Sequence, residues 1–260
     1  MNYRYFAILS ASILISACAK SETPHYILTD SELHQYQGGD RLSYAVLALT
    51  NNTDTPGVLI RTFESVDLSM PDSNQTLAAL IQTEVAGSIS LPFATPYFTQ
   101  TENGNLILEA YSESGKTYWL TESKSAPTGK LFYTSPLSEM TESSSTSSPL
   151  LVCDSDNQSC ENGGDTTIQL TPRITETIET EYAKFDAYKF NINWTASVLN
   201  IDQSGDSKSY SLSGSQWIYP PLGVVRFEYS IQTQQGDITT YIGTLSATNI
   251  KIPDANKLDS

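Results

Sequence analysis

Tyr188-Lys189-Phe190-Asn191-Ile192-Asn193-Trp194 alternates apolar or aromatic residues with polar ones, position by position. A period of two places successive side chains on opposite faces of a strand. Tyr188, Phe190, Ile192 and Trp194 therefore share one face, and Lys189, Asn191 and Asn193 share the other. Val225, Phe227, Tyr229 and Ile231 repeat the pattern further along. Between and beyond these runs lie turn clusters. Asp202-Gln-Ser-Gly-Asp206 separates residues 198–201 from 209–212, and Gln235-Gly-Asp237 precedes a return over 238–245.

The same reading extends upstream. An apolar run over 42–50 stops at the turn cluster 51–57 and resumes over 57–63, which predicts a hairpin with a long loop. Residues 106–111 and 116–121 flank Ser112-Glu-Ser-Gly115 and predict another hairpin. Over 74–86 the spacing of Leu77, Leu80, Ile81 and Val85 suits a helix, but Thr76, Thr83 and Val85 tip the reading to a strand. Short strands recurring with turns between them predict an all-β protein: one or two antiparallel β-sandwich or open-barrel domains.

Composition narrows the function classes. The chain has 260 residues, with 14 Lys plus Arg against 29 Asp plus Glu, a formal charge of −15. So few bases cannot neutralise a phosphate backbone, so no nucleic-acid partner is expected. Ser and Thr number 34 and 29, nearly a quarter of the chain. Ten of them fall within residues 134–148, and no Lys or Arg occurs between 131 and 172. That composition reads as a linker or long exposed loop, because it offers little apolar surface to offset ordering entropy. The expected organisation is a signal segment (1–17), a tether (18–40), a β domain (41–134), a Ser/Thr-rich acidic linker (135–167) and a β-sandwich domain (168–252). One large sandwich carrying the Ser-rich segment as an insertion is the alternative.

The first residues carry one base, Arg4, then an apolar run over 5–15 broken by Ser10 and Ser12. About 20 apolar residues are needed to span a bilayer as a helix, and this run has the length of a signal-peptide core. It ends Ile15-Ser16-Ala17-Cys18. That segment resembles the lipobox of bacterial lipoproteins: a branched apolar residue, two small residues, then Cys. The resemblance covers residues 1–18 and no family is recognised for the rest. It implies that the Cys18 thiol receives a diacylglyceryl group, that a signal peptidase cuts before Cys18, and that the new amine is acylated in most Gram-negative bacteria. Ala19, rather than Asp, follows the Cys; by the enterobacterial rule this favours the outer membrane over the inner one.

Lipidation of Cys18 would leave Cys153 and Cys160 as a pair. An oxidising compartment favours joining them across the short loop between. Six residues intervene, against two in the usual redox motif, so a structural disulfide is expected.

No catalytic motif emerges. His25 and His34, the only two His, fall in the irregular stretch after the anchor and read as tether residues. Neither a Gly-x-Ser-x-Gly elbow nor a His-Glu-x-x-His pair occurs. Glu176, Glu179 and Glu181 read as a solvated strand face. Asp154, Asp156, Asn157, Glu161 and Asp165 offer hard oxygens, but without EF-hand spacing, and read as an acidic loop. No metal site and no cofactor are predicted. Trp217-Ile-Tyr219-Pro-Pro221 is the one aromatic cluster with a possible ligand platform, set against ordinary core packing. The expected protein is a non-enzymatic, lipid-anchored envelope protein that binds or scaffolds an envelope partner. The alternatives are a carbohydrate- or peptide-binding module using Trp217 and Tyr219, and a hydrolase whose site is spread over loops.

Overall fold

Every period-two stretch named above becomes a strand in the computed structural model. The structure describes residues 23–50, 53–71, 73–85, 87–89, 91, 95–113, 115–121, 129–154, 159–199, 207–232 and 237–253. Its strands in chain order are β1 (His25–Tyr26), β2 (Arg41–Thr50), β3 (Thr53–Ser69), β4 (Thr76–Val85) and β5 (Thr95–Gln100). Next come β6 (Leu106–Glu113), β7 (Lys116–Trp119), β8 (Lys130–Tyr133), β9 (Ser144–Cys153) and β10 (Cys160–Leu170). The last are β11 (Ile174–Glu179), β12 (Lys184–Leu199), β13 (Ser207–Tyr219), β14 (Gly223–Gln232) and β15 (Ile238–Thr248). Among the described residues the one helical element is a 3-10 turn at Leu137–Glu139.

The chain is all-β, and its sheet is a closed ring rather than a sandwich or an open barrel. Twelve strands run β12-β10-β9-β7-β6-β5-β4-β3-β2-β15-β14-β13, each antiparallel to the next, and β13 pairs back with β12 from Tyr188–Ile218 to Leu199–Ser207. β1, β8 and β11 pair outside this ring. Closure removes the two outer edges that an open sheet with an apolar face exposes to aggregation, leaving locally one-sided stretches such as residues 82–85 of β4.

The two-domain division does not hold. Strands from 41–134 and from 168–252 alternate around one ring, and β15 pairs with β2 across some 190 residues of chain (Thr240 opposite Leu49). The supposed linker supplies two wall strands, β9 and β10. Its exposed hydroxyls bond across strands, Ser147 with Thr167 at 2.9 Å, as Thr62 does with Thr83 and Ser230 with Thr240 elsewhere. Ser148 and Thr166 point inward, where Thr166 Oγ1 accepts from Trp194 Nε1 at 2.9 Å. A strand buried on one face can carry Ser and Thr throughout the other, so composition alone misreads it as unstructured. The predicted long hairpin loop at 51–57 also shortens. β3 begins at Thr53, directly opposite Thr50.

The interior of a twelve-stranded ring is wider than one row of side chains can fill. Aromatic rings take up much of it: Tyr44, Phe63, Phe98, Tyr111, Phe190, Trp194, Phe227 and Tyr229 are all buried in one continuous cluster. Trp119 belongs to a second, smaller cluster with Leu68, Ala79, Ala110 and Leu151. Its neighbours Tyr118 and Leu120 belong to the inner one, so strand alternation puts Trp119 on the opposite face of the wall.

The residues read as a tether also help to fill the ring. Leu33 is buried, and the Tyr36 ring stacks on Phe63 with centroids 3.9 Å apart. Backbone bonds hold this strap across the end of the barrel where β2 and β14 begin. Leu33 N–H donates to Ser135 Oγ, His34 N–H to the Pro220 carbonyl, Tyr36 N–H to Gln100 Oε1, and Gly39 N–H to the Phe63 carbonyl. Gly223 sits where Tyr36 arrives: a Cβ there would lie 1.9 Å from the Tyr36 hydroxyl. The tether reading is thus corrected for residues 23–40, which form part of the body; residues 18–22 lie outside the described residues.

Candidate functional site: a cavity inside the barrel

The rings and the strap do not fill the barrel completely. A cavity of about 410 Å³ is left, within the range of about 300–1,000 Å³ usual for small-molecule sites. Its wall is mainly apolar, with Phe63, Phe98, Leu106, Ile192, Trp194 and Leu212 among its lining. Leu33 and Tyr36 of the strap line it as well.

Among the described residues the ring is thinly paired on one side. β4 and β5 share only two register pairs, Leu80 with Phe98 and Ile81 with Tyr97. β4 nevertheless continues to Val85, and β5 starts at Thr95. Gln82, Thr83 and Glu84 on one side of this seam and Thr95 and Pro96 on the other all line the cavity. Pro96 has no N–H to add to a ladder. Glu84 Oε2 accepts the Leu91 N–H at 2.9 Å, holding another lining residue against the seam.

Polar groups converge on the cavity from β3, β8, β13 and β14. Arg61 lies between Leu59 and Phe63 in the inward phase of β3 and is only 7% exposed. Its guanidinium lies 5.1 Å from the Phe227 ring centre and 5.7 Å from that of Tyr44. It donates to the hydroxyl oxygens of Tyr44 and Tyr229. Those hydroxyls pass their own protons outward, Tyr44 to the Val224 carbonyl at 2.8 Å and Tyr229 to Gln216 Oε1 at 2.9 Å. Burial works against the Arg61 cation, but Tyr44, Tyr229 and the nearby Glu84 favour it, and its pKa ends above the usual arginine value. Burial also raises the hydroxyl pKa values of Tyr36, Tyr44, Tyr133 and Tyr229, so all four stay neutral.

Three donors in this cluster have no partner: Arg61 Nε, Gln216 Nε2 and the Tyr133 hydroxyl. An interior donor left unsatisfied costs about 1–3 kcal/mol, and native interiors leave few. All three side chains line the same cavity.

The predicted site residues fall elsewhere. Trp217 and Tyr219 are 4% and 0% exposed, so neither offers an open platform. Tyr219 packs at the closed end of the barrel, 5.2 Å from the Phe185 ring. Trp217 follows the inward Gln216 and so lies on the outer face, under Lys189 and Arg226, whose charged ends are 4.8 and 5.0 Å from its ring. Its Nε1 donates to Glu176 Oε2 at 2.7 Å, which with Lys189 lowers the Glu176 pKa. Cys153 and Cys160 form the expected disulfide, directly opposite one another at the ends of β9 and β10. His25 and His34 do not lie in a loose tether; they bond to Asp186 and Asp40 at 3.0 and 2.8 Å and help fasten the strap. Cys18, Asp156 and Asn157 lie outside the described residues.

The reading from sequence passed over Arg61 and Gln216. Arg61 had a visible signal: in Leu59-Ile-Arg61-Thr-Phe63 the cation falls on the apolar phase. Gln216 had a weaker one, following Leu212 and Gly214 at the same period.

No known family's model matches the chain, as the reading of the mature body anticipated. No curated protein matches it. Three solved structures are similar at low scores. A Bacteroides fragilis protein described as exported and of YmcC-like fold is 12% identical, with a TM-score of 0.32, over 84% of this chain and 99% of its own. A Parabacteroides distasonis protein described as a lipoprotein is 14% identical, with a TM-score of 0.32, over 85% and 100%. The hypothetical lipoprotein YmcC from Escherichia coli is 7% identical, with a TM-score of 0.29, over 82% and 85%. Two of these descriptions name the class to which residues 1–18 point, but at such scores the likeness carries no argument about what this chain does.

Proposed function

We propose that the chain is a lipid-anchored envelope protein whose barrel binds one small, mostly apolar molecule and performs no covalent chemistry on it. The cavity is the observation that carries this reading: it is enclosed by the ring, lined by apolar side chains, and bordered by a seam through which a guest can enter. The polar groups around it suit holding rather than reacting, since Arg61 stays protonated and the tyrosines stay neutral. The N-terminal motif supports the anchor. Two or three acyl chains on Cys18 would bind a bilayer far more firmly than the marginal hold of a single chain. Ala19 favours the outer membrane. An envelope protein that delivers or receives the guest is the partner this role implies. The platform alternative loses its basis with the burial of Trp217 and Tyr219.

N-phenyl-1-naphthylamine, a neutral probe that fluoresces in apolar surroundings, tests the binding role. The full chain carrying Cys18→Ser should bind it stoichiometrically, and Leu212→Trp, which fills the cavity, should abolish that binding. Equal fluorescence from both proteins would refute it. Labelling with radioactive palmitate tests the anchor separately: the wild type should take up label and Cys18→Ser should not.

A further inference from the structure

The unpaired donors indicate the chemistry of the guest. Arg61 and Gln216 are joined through Tyr229, whose hydroxyl accepts from one and donates to the other. That arrangement uses the Gln216 carbonyl oxygen and leaves Arg61 Nε–H, the Gln216 amide N–H group and the Tyr133 hydroxyl unmatched and buried, on three side chains that line the cavity. What is left open is a set of donors around one cation, so the guest must bring acceptors. Among the described residues Arg61 is the sole basic residue in the cavity lining and Glu84 the sole acidic one. Glu84 accepts the Leu91 N–H at the seam and also lies near enough to favour the Arg61 cation. One buried guanidinium can therefore answer at most a single further negative charge. A phosphate dianion would bring a second charge with no counterpart in an apolar space. Away from Gln82, Thr83, Glu84 and Thr95 at the seam, the remaining wall offers mainly rings and aliphatic chains, which suit hydrocarbon better than the hydroxyls of a sugar or the amides of a peptide.

We propose that the cavity takes an amphiphile with a single negative charge, a long-chain carboxylate, with its acid group held by Arg61, Gln216 and Tyr133 and its chain lying against Phe63, Phe98 and Leu212. This rests on the binding role proposed above and fixes the class of its ligand.

Displacement of the bound naphthylamine from the Cys18→Ser chain separates the two claims. Laurate, dodecanol and dodecyl phosphate share a chain length and differ in the head. Laurate should displace the probe at concentrations about tenfold below dodecanol, the size expected of a charge-assisted pair. It should also act below dodecyl phosphate. Arg61→Met should bring the laurate-to-dodecanol ratio close to one. Gln216→Glu keeps the oxygen that Tyr229 uses and sets a carboxylate beside Arg61, and should do the same. The ratio is read within each protein, so it does not depend on how tightly a variant holds the probe. If Arg61→Met fails to fold, Gln216→Glu decides. Equal displacement by laurate and dodecanol, tighter displacement by dodecyl phosphate, or a ratio unchanged in a folded variant would overturn the carboxylate site while the cavity stood. Failure of the probe itself to bind would remove both claims.

Discussion

Two arginines lie against aromatic rings on opposite faces of the same wall, and their surroundings differ. Arg226, on the outer face, bonds to Glu228 and lies over Trp217, while Lys189 beside it pairs with Glu176 at 3.1 Å. Arg61, on the inner face, lies over Phe227 and Tyr44 and bonds only to neutral hydroxyls. Both leave Nε unmatched. Outside, Glu228 on the same strand answers Arg226 and Glu176 on the neighbouring β11 answers Lys189, with solvent close at hand. Inside, a cation and two further side chains with unmatched donors line the cavity. The outer cation has a carboxylate bonded to it and one unmatched nitrogen, whereas the inner group has three unmatched donors and no carboxylate bonded to its cation.

Substitution should expose this difference in energies. Phe227→Ala removes a fully buried ring that touches Arg61, Tyr44 and Tyr229, and should cost about 3–5 kcal/mol by urea denaturation. Trp217→Ala removes a larger ring, but one covered on the outer face by the charged side chains of Lys189 and Arg226. It should cost less than Phe227→Ala, at the low end of that range, about 3 kcal/mol. A larger loss at Trp217 than at Phe227 would break the contrast. Replacing Cys153 and Cys160 together by Ser loosens the wall away from both clusters and should cost about 2–3 kcal/mol on the chain-entropy model. Neutralising the outer pair with Glu176→Gln should change stability by about 1 kcal/mol or less, as surface ion pairs do. Its clearer mark would be a shift in Trp217 fluorescence.

A pH series sharpens the comparison with a third polar site. Glu109 is buried at a bulge, where it accepts from Thr99 Oγ1 at 2.6 Å and from the Gly129 N–H at 3.0 Å. Burial raises its pKa despite those two bonds. A carboxyl whose folded pKa exceeds its unfolded value binds its proton more tightly when folded. Its contribution to stability is therefore greatest at low pH and declines as pH rises from the ordinary carboxylate range, about 4.3, through the raised value. Glu109→Gln should flatten that decline in urea midpoints. Glu176, with its pKa lowered by Trp217 and Lys189, should act in the opposite sense, losing its small contribution as pH falls through the lowered value.

The parts of the fold visible in sequence were those set by local alternation. β12 and β14 have the predicted inward residues, and β4 is the strand that Thr76, Thr83 and Val85 suggested. Ring closure was not visible, because nothing in residues 207–219 says that their second neighbour is 184–199 rather than solvent. β9 was hidden by its hydroxyls, which read as disorder until Thr167 and its neighbours appear opposite them. The site was half legible. The phase of Arg61 could be read from Leu59 and Phe63, but its partners Tyr44 and Tyr229 come from strands far apart in sequence, and only tertiary structure shows that three donors lack acceptors. Trp217 and Tyr219 attracted notice as a dense aromatic cluster, yet density says nothing about which face each ring takes.

The ring has a further bearing on life beside a bilayer. The anchor proposed for Cys18 would confine the protein to two dimensions, where copies collide often. An open sheet in that setting would present unfilled backbone donors and acceptors to identical neighbours and could grow by accretion. Here the ladder is spent upon itself, and the strands outside it are short, with two, four and six residues in β1, β8 and β11. Copies crowded on such a surface would find, among the described residues, little ladder left to pair with beyond the β4–β5 seam and these short strands.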